Sequence, residues 1–221
     1  MNIAIDGPAG AGKSTIAKNL AQQMHFIYVD TGAMYRAVAL YMIRHGIDIN
    51  SQEEIRRACG QIEISIRYED GLQCVYLNGE NVNGLIRTPE VSRMSSLVSA
   101  IPLVREKLLS LQRELAAGSD VIMDGRDIGT HILPDAQLKI FLTARPRVRA
   151  KRRYDELTAR GEKADLDQIE QDIIQRDRQD MSRAVSPLRQ AEDAVLVDTS
   201  DMDIEQVTAK IRSLAEERRG K

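Results

Sequence analysis

The sequence predicts an α/β protein: a five-stranded parallel sheet flanked by helices, with a small antiparallel sheet inserted into it. Three observations carry this expectation. Five short apolar runs are each followed by polar or turn chemistry, helical stripes separate most of them, and one stretch between about Ile62 and Val82 switches to strict alternation. Continuous apolar runs mark strands buried on both faces, whereas alternation marks a sheet with one wet face.

The first run, Ile3-Ala4-Ile5, is stopped by Asp6-Gly7-Pro8. Beyond the glycines, Ile16, Leu20 and Met24 recur every four residues and form one face of a helix. Phe26-Ile27-Tyr28-Val29 reads as the second strand, ended by Asp30-Thr31-Gly32, and a helix is expected from about Met34 to His45. Ile62, Ile64 and Ile66 then alternate with polar residues. Glu69-Asp70-Gly71 makes a turn, and Val75-Tyr76-Leu77 runs into the hairpin signal Asn78-Gly79. Thr88-Pro89-Glu90 has the cap-then-proline order of a helix start. A further helix carries Val104, Leu108, Leu111 and Leu115. The remaining strands are Val121-Ile122-Met123, Leu138 to Leu142, and Ala194 to Val197. A long charged helical stretch is expected from Arg147 to Arg183, and Ile204, Val207, Ile211 and Leu214 stripe a terminal helix.

Composition narrows the function. With 221 residues the chain is long enough for one domain with a sizeable insertion. Aromatics make up only 4% and Trp is absent, so the core must be built of Ile, Leu, Val, Ala and Met. The 31 basic and 33 acidic residues nearly cancel, which argues against a partner such as nucleic acid held by a net positive field. Cys59 and Cys74 form no CxxC pair, and His25, His45 and His131 have no metal-ligand spacing. The start MNIAIDGPAG lacks a basic segment followed by an apolar stretch, and no window approaches a membrane span. A soluble cytoplasmic protein without membrane partners is expected.

Gly7, Pro8, Ala9, Gly10, Ala11, Gly12, Lys13 and Ser14 fit GxxxxGK[ST]. Glycines let backbone N–H groups close around a phosphate where side chains would collide. The helix that follows adds its positive end. Lys13 is placed to reach the β- and γ-phosphates of a nucleotide, and the Ser14 hydroxyl to ligate magnesium. The loop alone leaves a GTPase, a motor ATPase and a small-molecule kinase open. No N-K-x-D segment follows a late strand, and the strand at Val121 runs into Asp124-Gly125-Arg126-Asp127 rather than paired acids. Both features shift weight to the kinases.

Four motifs then coincide in order. Asp6 to Thr15, Asp30-Thr31-Gly32-Ala33-Met34-Tyr35-Arg36, Asp124-Gly125-Arg126-Asp127-Ile128-Gly129-Thr130, and Arg176-Asp177 with Asp180, Arg183-Ala184-Val185 and Pro187-Leu188 together resemble the bacterial cytidylate kinase family over essentially the whole chain. The resemblance implies a P-loop core with strand order 2-3-1-4-5 and transfer of the γ-phosphoryl group of ATP to CMP or dCMP with Mg2+. Nothing in the sequence demands assembly, and a monomer is expected. The resemblance divides the chain into a core (1–35, 101–146 and 184–221), a monophosphate-binding part (36–100) and a lid (147–183). The lid and the insertion are expected to move on binding.

Phosphoryl transfer between two phosphates needs cations and alignment more than covalent chemistry. The resemblance supplies roles accordingly. Lys13 and the loop through Thr15 hold ATP; Ser14 and Asp124 serve the metal. Some relatives carry Gly-Thr where this chain has Ser14-Thr15, and either hydroxyl can serve. Arg36 and Arg126 grip the acceptor phosphate, Ser96, Arg105 and Asp127 read the base, and Thr31 belongs to the acceptor site. Arg176, Asp180 and Arg183 line the monophosphate pocket and, if helical, share one face at i, i+4 and i+7. The basic run from Arg145 to Arg153 admits a lid, a nucleic-acid patch or a solvated helix face. We expect the lid, with Arg149 and Arg153 acting on the ATP phosphates.

Overall fold

A computed structural model describes residues 1–69 and 71–220. The chain forms two compact units, Met1–Tyr28 with Ser119–Lys221, and Val29–Gly118.

The first unit is built on β1 (Asn2–Asp6), β6 (Val121–Gly125), β7 (Leu138–Thr143) and β8 (Val195–Asp198), with α1 (Lys13–Met24), α6 (Pro146–Ala159), α7 (Leu166–Met181) and α8 (Ile204–Arg219). With β2 (Ile27–Asp30), whose first half belongs here, the strands form one sheet in the order β2-β6-β1-β7-β8. Numbered along the sheet strands alone, that is the expected 2-3-1-4-5. Ile3 pairs with both Ile122 and Leu138, and Ile140 with Val195, all in parallel. Ile3, Ile5, Ile122, Ile140 and Leu142 pack with Ile16 and Leu20 of α1 and with Val207 and Ile211 of α8. Aliphatic side chains therefore make this core, as the composition requires. Every apolar run read as a core strand overlaps one, with Phe26 and Ala194 just outside β2 and β8.

The charged stretch expected to be helical from Arg147 to Arg183 holds two helices, α6 and α7. Gly161 adopts φ 76° just after α6, and the Asp165 side chain accepts the Asp167 and Gln168 N–H groups to start α7. α7 ends at Met181, so Arg183 is not on the helix face shared by Arg176 and Asp180. Between β6 and β7 the chain makes one wide helical turn, Ile128–Ile132, which periodicity could not announce.

The second unit holds α2 (Thr31–Arg44), α3 (Gln52–Gln61), the antiparallel strands β3 (Ile64–Glu69), β4 (Leu72–Leu77) and β5 (Glu80–Asn81), α4 (Pro89–Val98) and α5 (Pro102–Ala117). The β4–β5 turn uses Asn78 and Gly79 at φ 48° and 84°, as their sequence signal demands. In the β3–β4 turn, Asp70 lies outside the described residues; Gly71 has φ 76°. α2 begins three residues earlier than its stripe, because the Asp30 carboxylate caps it by accepting the Ala33 N–H at 2.9 Å. α3 escapes the sequence reading because only Ile55 and Ala58 face inward. It starts at Ser51, whose hydroxyl accepts the Glu54 N–H. On α5 the buried face is Val104, Arg105, Leu108, Gln112 and Ala116, rotated from the apolar stripe so that two polar side chains lie inside.

Candidate active site

In the first unit the loop between β1 and α1 has the geometry its glycines imply. Gly7 sits at φ 147°, and a Cβ there would lie 1.9 Å from the Leu142 carbonyl oxygen. Gly10 and Gly12 adopt φ 73° and 90°. No other residue type fits the first position, and both later ones disfavour a side chain. Gly12 then opens α1, its carbonyl accepting the Ile16 N–H at 3.0 Å. The loop is buried at Pro8, Ala9 and Ala11, whereas Gly10 and Thr15 are exposed.

Lys13 is buried, and its Nζ donates to the Pro8 carbonyl at 2.8 Å, inside the turn of its own loop. Burial and the Arg126 and Arg176 guanidiniums lower its pKa well below the usual lysine range, against the pull of Asp124 and Asp6. The Ser14 hydroxyl donates to Asp124 Oδ2 at 2.8 Å, and the Tyr28 hydroxyl to Oδ1 at 2.9 Å. One hydroxyl and one carboxylate, both oxygen donors, converge at the start of α1. That set suits Mg2+, which takes few protein ligands and completes its shell with water and phosphate oxygens.

Past β6, arginines gather on the Asp180 carboxylate. Arg126 Nε donates to Asp180 Oδ2 at 2.9 Å, and Arg183 donates to Asp180 Oδ1. Asp180 is buried at the end of α7. Burial raises its pKa, but Arg126, Arg183 and Arg176 outweigh that and hold it below the ordinary carboxylate range. Arg126, Arg176, Asp180 and Arg183 are thus brought together, and Arg126 and Arg176 also act electrostatically on Lys13.

Asp127 is buried at the start of the wide turn, where its carbonyl accepts the His131 N–H at 2.9 Å. Asp6, which the sequence reading assigned no role of its own, fastens that turn: its two carboxylate oxygens accept the Ile128 and Gly129 N–H groups, each at 2.8 Å. Burial pushes its pKa up to about 6, with the two backbone bonds opposing.

Arg149 and Arg153 lie on α6 and face different surroundings. Arg149 is 3% exposed, and its guanidinium donates to the Ala9 and Ala144 carbonyls, each at 2.8 Å, and to Asp177 at 2.6 Å. It braces the P-loop from behind. Arg153 is exposed and pairs with Glu156 on the same helix.

The second unit carries the other candidates. Thr31 is buried in the first turn of α2. Arg36, one turn on, donates to Asp30 at 3.3 Å. Ser96 is buried on α4, and its Oγ has no hydrogen-bond partner among the described residues. Arg105 is buried on α5, donates to the Ser99 carbonyl at 3.0 Å, and lies 5.6 Å from the Tyr35 ring centre. Sequence reasoning missed Asp30, Gln73 and Arg87 as partners in this unit. The Gln73 side chain accepts the Asp30 N–H at 2.7 Å and donates to the Asp30 carbonyl, while Arg87 donates to the Asp30 carboxylate at 2.9 Å. Only the DTG turn signal pointed at Asp30, and nothing in the local sequence pointed at the other two.

Comparison with known proteins gives the family. The family model described as cytidylate kinase matches residues 3–217. The cytidylate kinase of Caldicellulosiruptor bescii is 51% identical over 214 residues, covering 97% of this chain and 95% of that protein. The cytidylate kinase of Pelotomaculum thermopropionicum is 51% identical over 211 residues, covering 95% and 93%. Among solved structures, an uncharacterized protein from Eubacterium ventriosum superposes with a TM-score of 0.55 at 12% identity over 98% of both chains, a likeness of fold. The chain belongs to the cytidylate kinase family.

Proposed function

We propose that the protein transfers the γ-phosphoryl group of ATP to CMP or dCMP, giving ADP and CDP or dCDP, as a cytoplasmic monomer that needs Mg2+. The observation that carries this reading is the set of cations around Lys13 in the first unit. Lys13, Arg126, Arg176 and Arg183 are electrostatically linked, with the buried acids Asp180, Asp124 and Asp6 among the groups that oppose them. So dense a cluster is costly to hold without anions and suits two phosphates brought together.

Lys13 and the loop amides bind the β- and γ-phosphates, and Arg126, Arg176 and Arg183 hold the acceptor phosphate. Asp180 keeps two of those guanidiniums in place and faces the sugar. Ser14 and Asp124 hold the metal, which when bound neutralises charge on the ATP phosphates. Arg36 and Thr31 serve the acceptor from the second unit. Ser96, Arg105 and Asp127 read the cytosine edge, and a buried Ser96 hydroxyl without a protein partner supports such a role. Arg153 acts from the lid at 147–183, and Arg149 keeps the loop in shape. Residues 36–100 form the acceptor-binding part.

The test is ADP formation from ATP with Mg2+, with and without CMP or dCMP. Release should depend on both acceptor and metal. ADP formed at the same rate without an acceptor would mean hydrolysis and would sink the proposal.

A further inference from the structure

In the second unit one buried carboxylate gathers two arginines. Asp30 Oδ2 accepts from Arg36 Nη2 at 3.3 Å and from Arg87 Nη2 at 2.9 Å, while Oδ1 caps α2. Asp30 cannot swing away from this duty, because the Gln73 amide holds its backbone N–H and carbonyl and the cap holds its side chain. Gly32 adds to the crowding: a Cβ there would come within 3.2 Å of both Asp30 and Arg36. Burial raises the Asp30 pKa, but the two guanidiniums more than reverse this and keep it ionised.

The charges do not balance. One carboxylate faces two guanidiniums, so this cluster is left with one net positive charge. Arg36 Nε is buried and has no hydrogen-bond partner among the described residues. The Arg87 side chain is 56% exposed against 17% for Arg36, so its other donors face solvent beside a guanidinium already implicated in phosphate binding. A surface arginine meant only to neutralise Asp30 would be redundant, since Arg36 already does so. Two fork-shaped donors aimed from a fixed carboxylate fit the oxygens of a phosphate dianion.

We propose that Arg87 is a second arginine for the acceptor's phosphate, working with Arg36, and that Asp30 is the positioning residue that aims both. The inference rests on the proposed function and adds to it a contact from the loop between β5 and α4. Arg87 supplies charge-assisted hydrogen bonds to the phosphate and none to the nucleoside.

The test compares CMP with cytidine, which lacks the phosphate, on wild type, Arg87→Met and Arg87→Lys. CMP affinity is measured by calorimetry and cytidine affinity by competition against CMP. Arg87→Met should weaken CMP binding roughly ten- to a hundredfold, leave cytidine within about twofold, and leave the melting temperature within about 2 °C, because Arg36 still pairs with Asp30 and the Arg87 side chain is largely exposed. Arg87→Lys should recover part of the loss. Unchanged CMP affinity in Arg87→Met, or equal losses for CMP and cytidine, would overturn the inference while leaving the kinase reading intact. Wild type that binds neither compound would overturn the kinase reading and, with it, this one.

Discussion

At the scale of single residues, the site depends on charges whose partners lie far away in the chain. Lys13 is the clearest case: its Nζ closes its own loop on the Pro8 carbonyl, while Arg126 and Arg176 act on it electrostatically from distant parts of the chain. Lys13→Met should lower kcat by roughly a thousandfold or more, with the folded state retained, as steady-state kinetics and a thermal melt would register. Ser14→Ala removes the hydroxyl that donates to Asp124 and should raise the Mg2+ concentration needed for half-maximal rate by about tenfold, read from a metal titration. Asp6 gives a pH dependence. Its folded pKa of about 6 stands above the ordinary aspartate value of 3.8, so between those values the native state holds a proton that the unfolded chain releases. The stability this contributes is present below the lower value and is lost as pH rises through about 6. Asp6→Asn cannot ionise. Wild type should therefore lose stability relative to Asp6→Asn between about pH 4.5 and 7, by at most about 3 kcal/mol in urea unfolding. A gap that did not change with pH would contradict the burial argument. The P-loop residues and the arginines past β6 were legible from motif and resemblance. Asp6, Gln73, Arg87 and the long-range part of Asp30's role were not, because they lie in bonds spanning 43 to 123 positions that no local pattern encodes.

At the scale of elements, turns and caps decide where the functional groups point. Gly7 passes so close to Leu142 on β7 that a methyl group cannot enter without moving one of them. Gly7→Ala should cost about 1–3 kcal/mol in urea unfolding and weaken ATP binding, because the loop must shift to admit the methyl. Arg149 joins α6 to the loop through the Ala9 carbonyl and to α7 through Asp177. Removing it leaves a buried carboxylate unpaired, so Arg149→Met should lose about 3–5 kcal/mol of stability. If Arg149 worked instead chiefly on the ATP phosphates, the loss would appear in kcat with stability unchanged. The strands were legible because apolar runs and alternation report burial directly. The break between α6 and α7 was not, since a uniformly charged stretch hides its boundaries and only Gly161 and the Asp165 cap mark them. α3 was missed for a related reason: two inward residues make too faint a stripe.

For the whole molecule, the order of motifs along the chain carried more than any one of them. Within the first unit, a phosphate loop after the first strand and DGRD after the third arise naturally from a parallel sheet whose strand ends share one edge. The sheet order follows from that topology, and the antiparallel insertion announced itself by its change of period. Polar positions inside α5 could not be anticipated, because Arg105 and Gln112 break the rule that buried faces are apolar. One of these, Arg105, is a candidate for reading the base, which accords with the tendency of functional sites to depart from local rules.

The most direct test of the central claim ranks acceptors: kcat/KM with Mg2+ and ATP for CMP, dCMP, UMP, AMP, GMP and dTMP, with the product identified by chromatography. CMP and dCMP should lead and yield CDP and dCDP. A purine monophosphate in first place, or no turnover with any of the six, would contradict that claim.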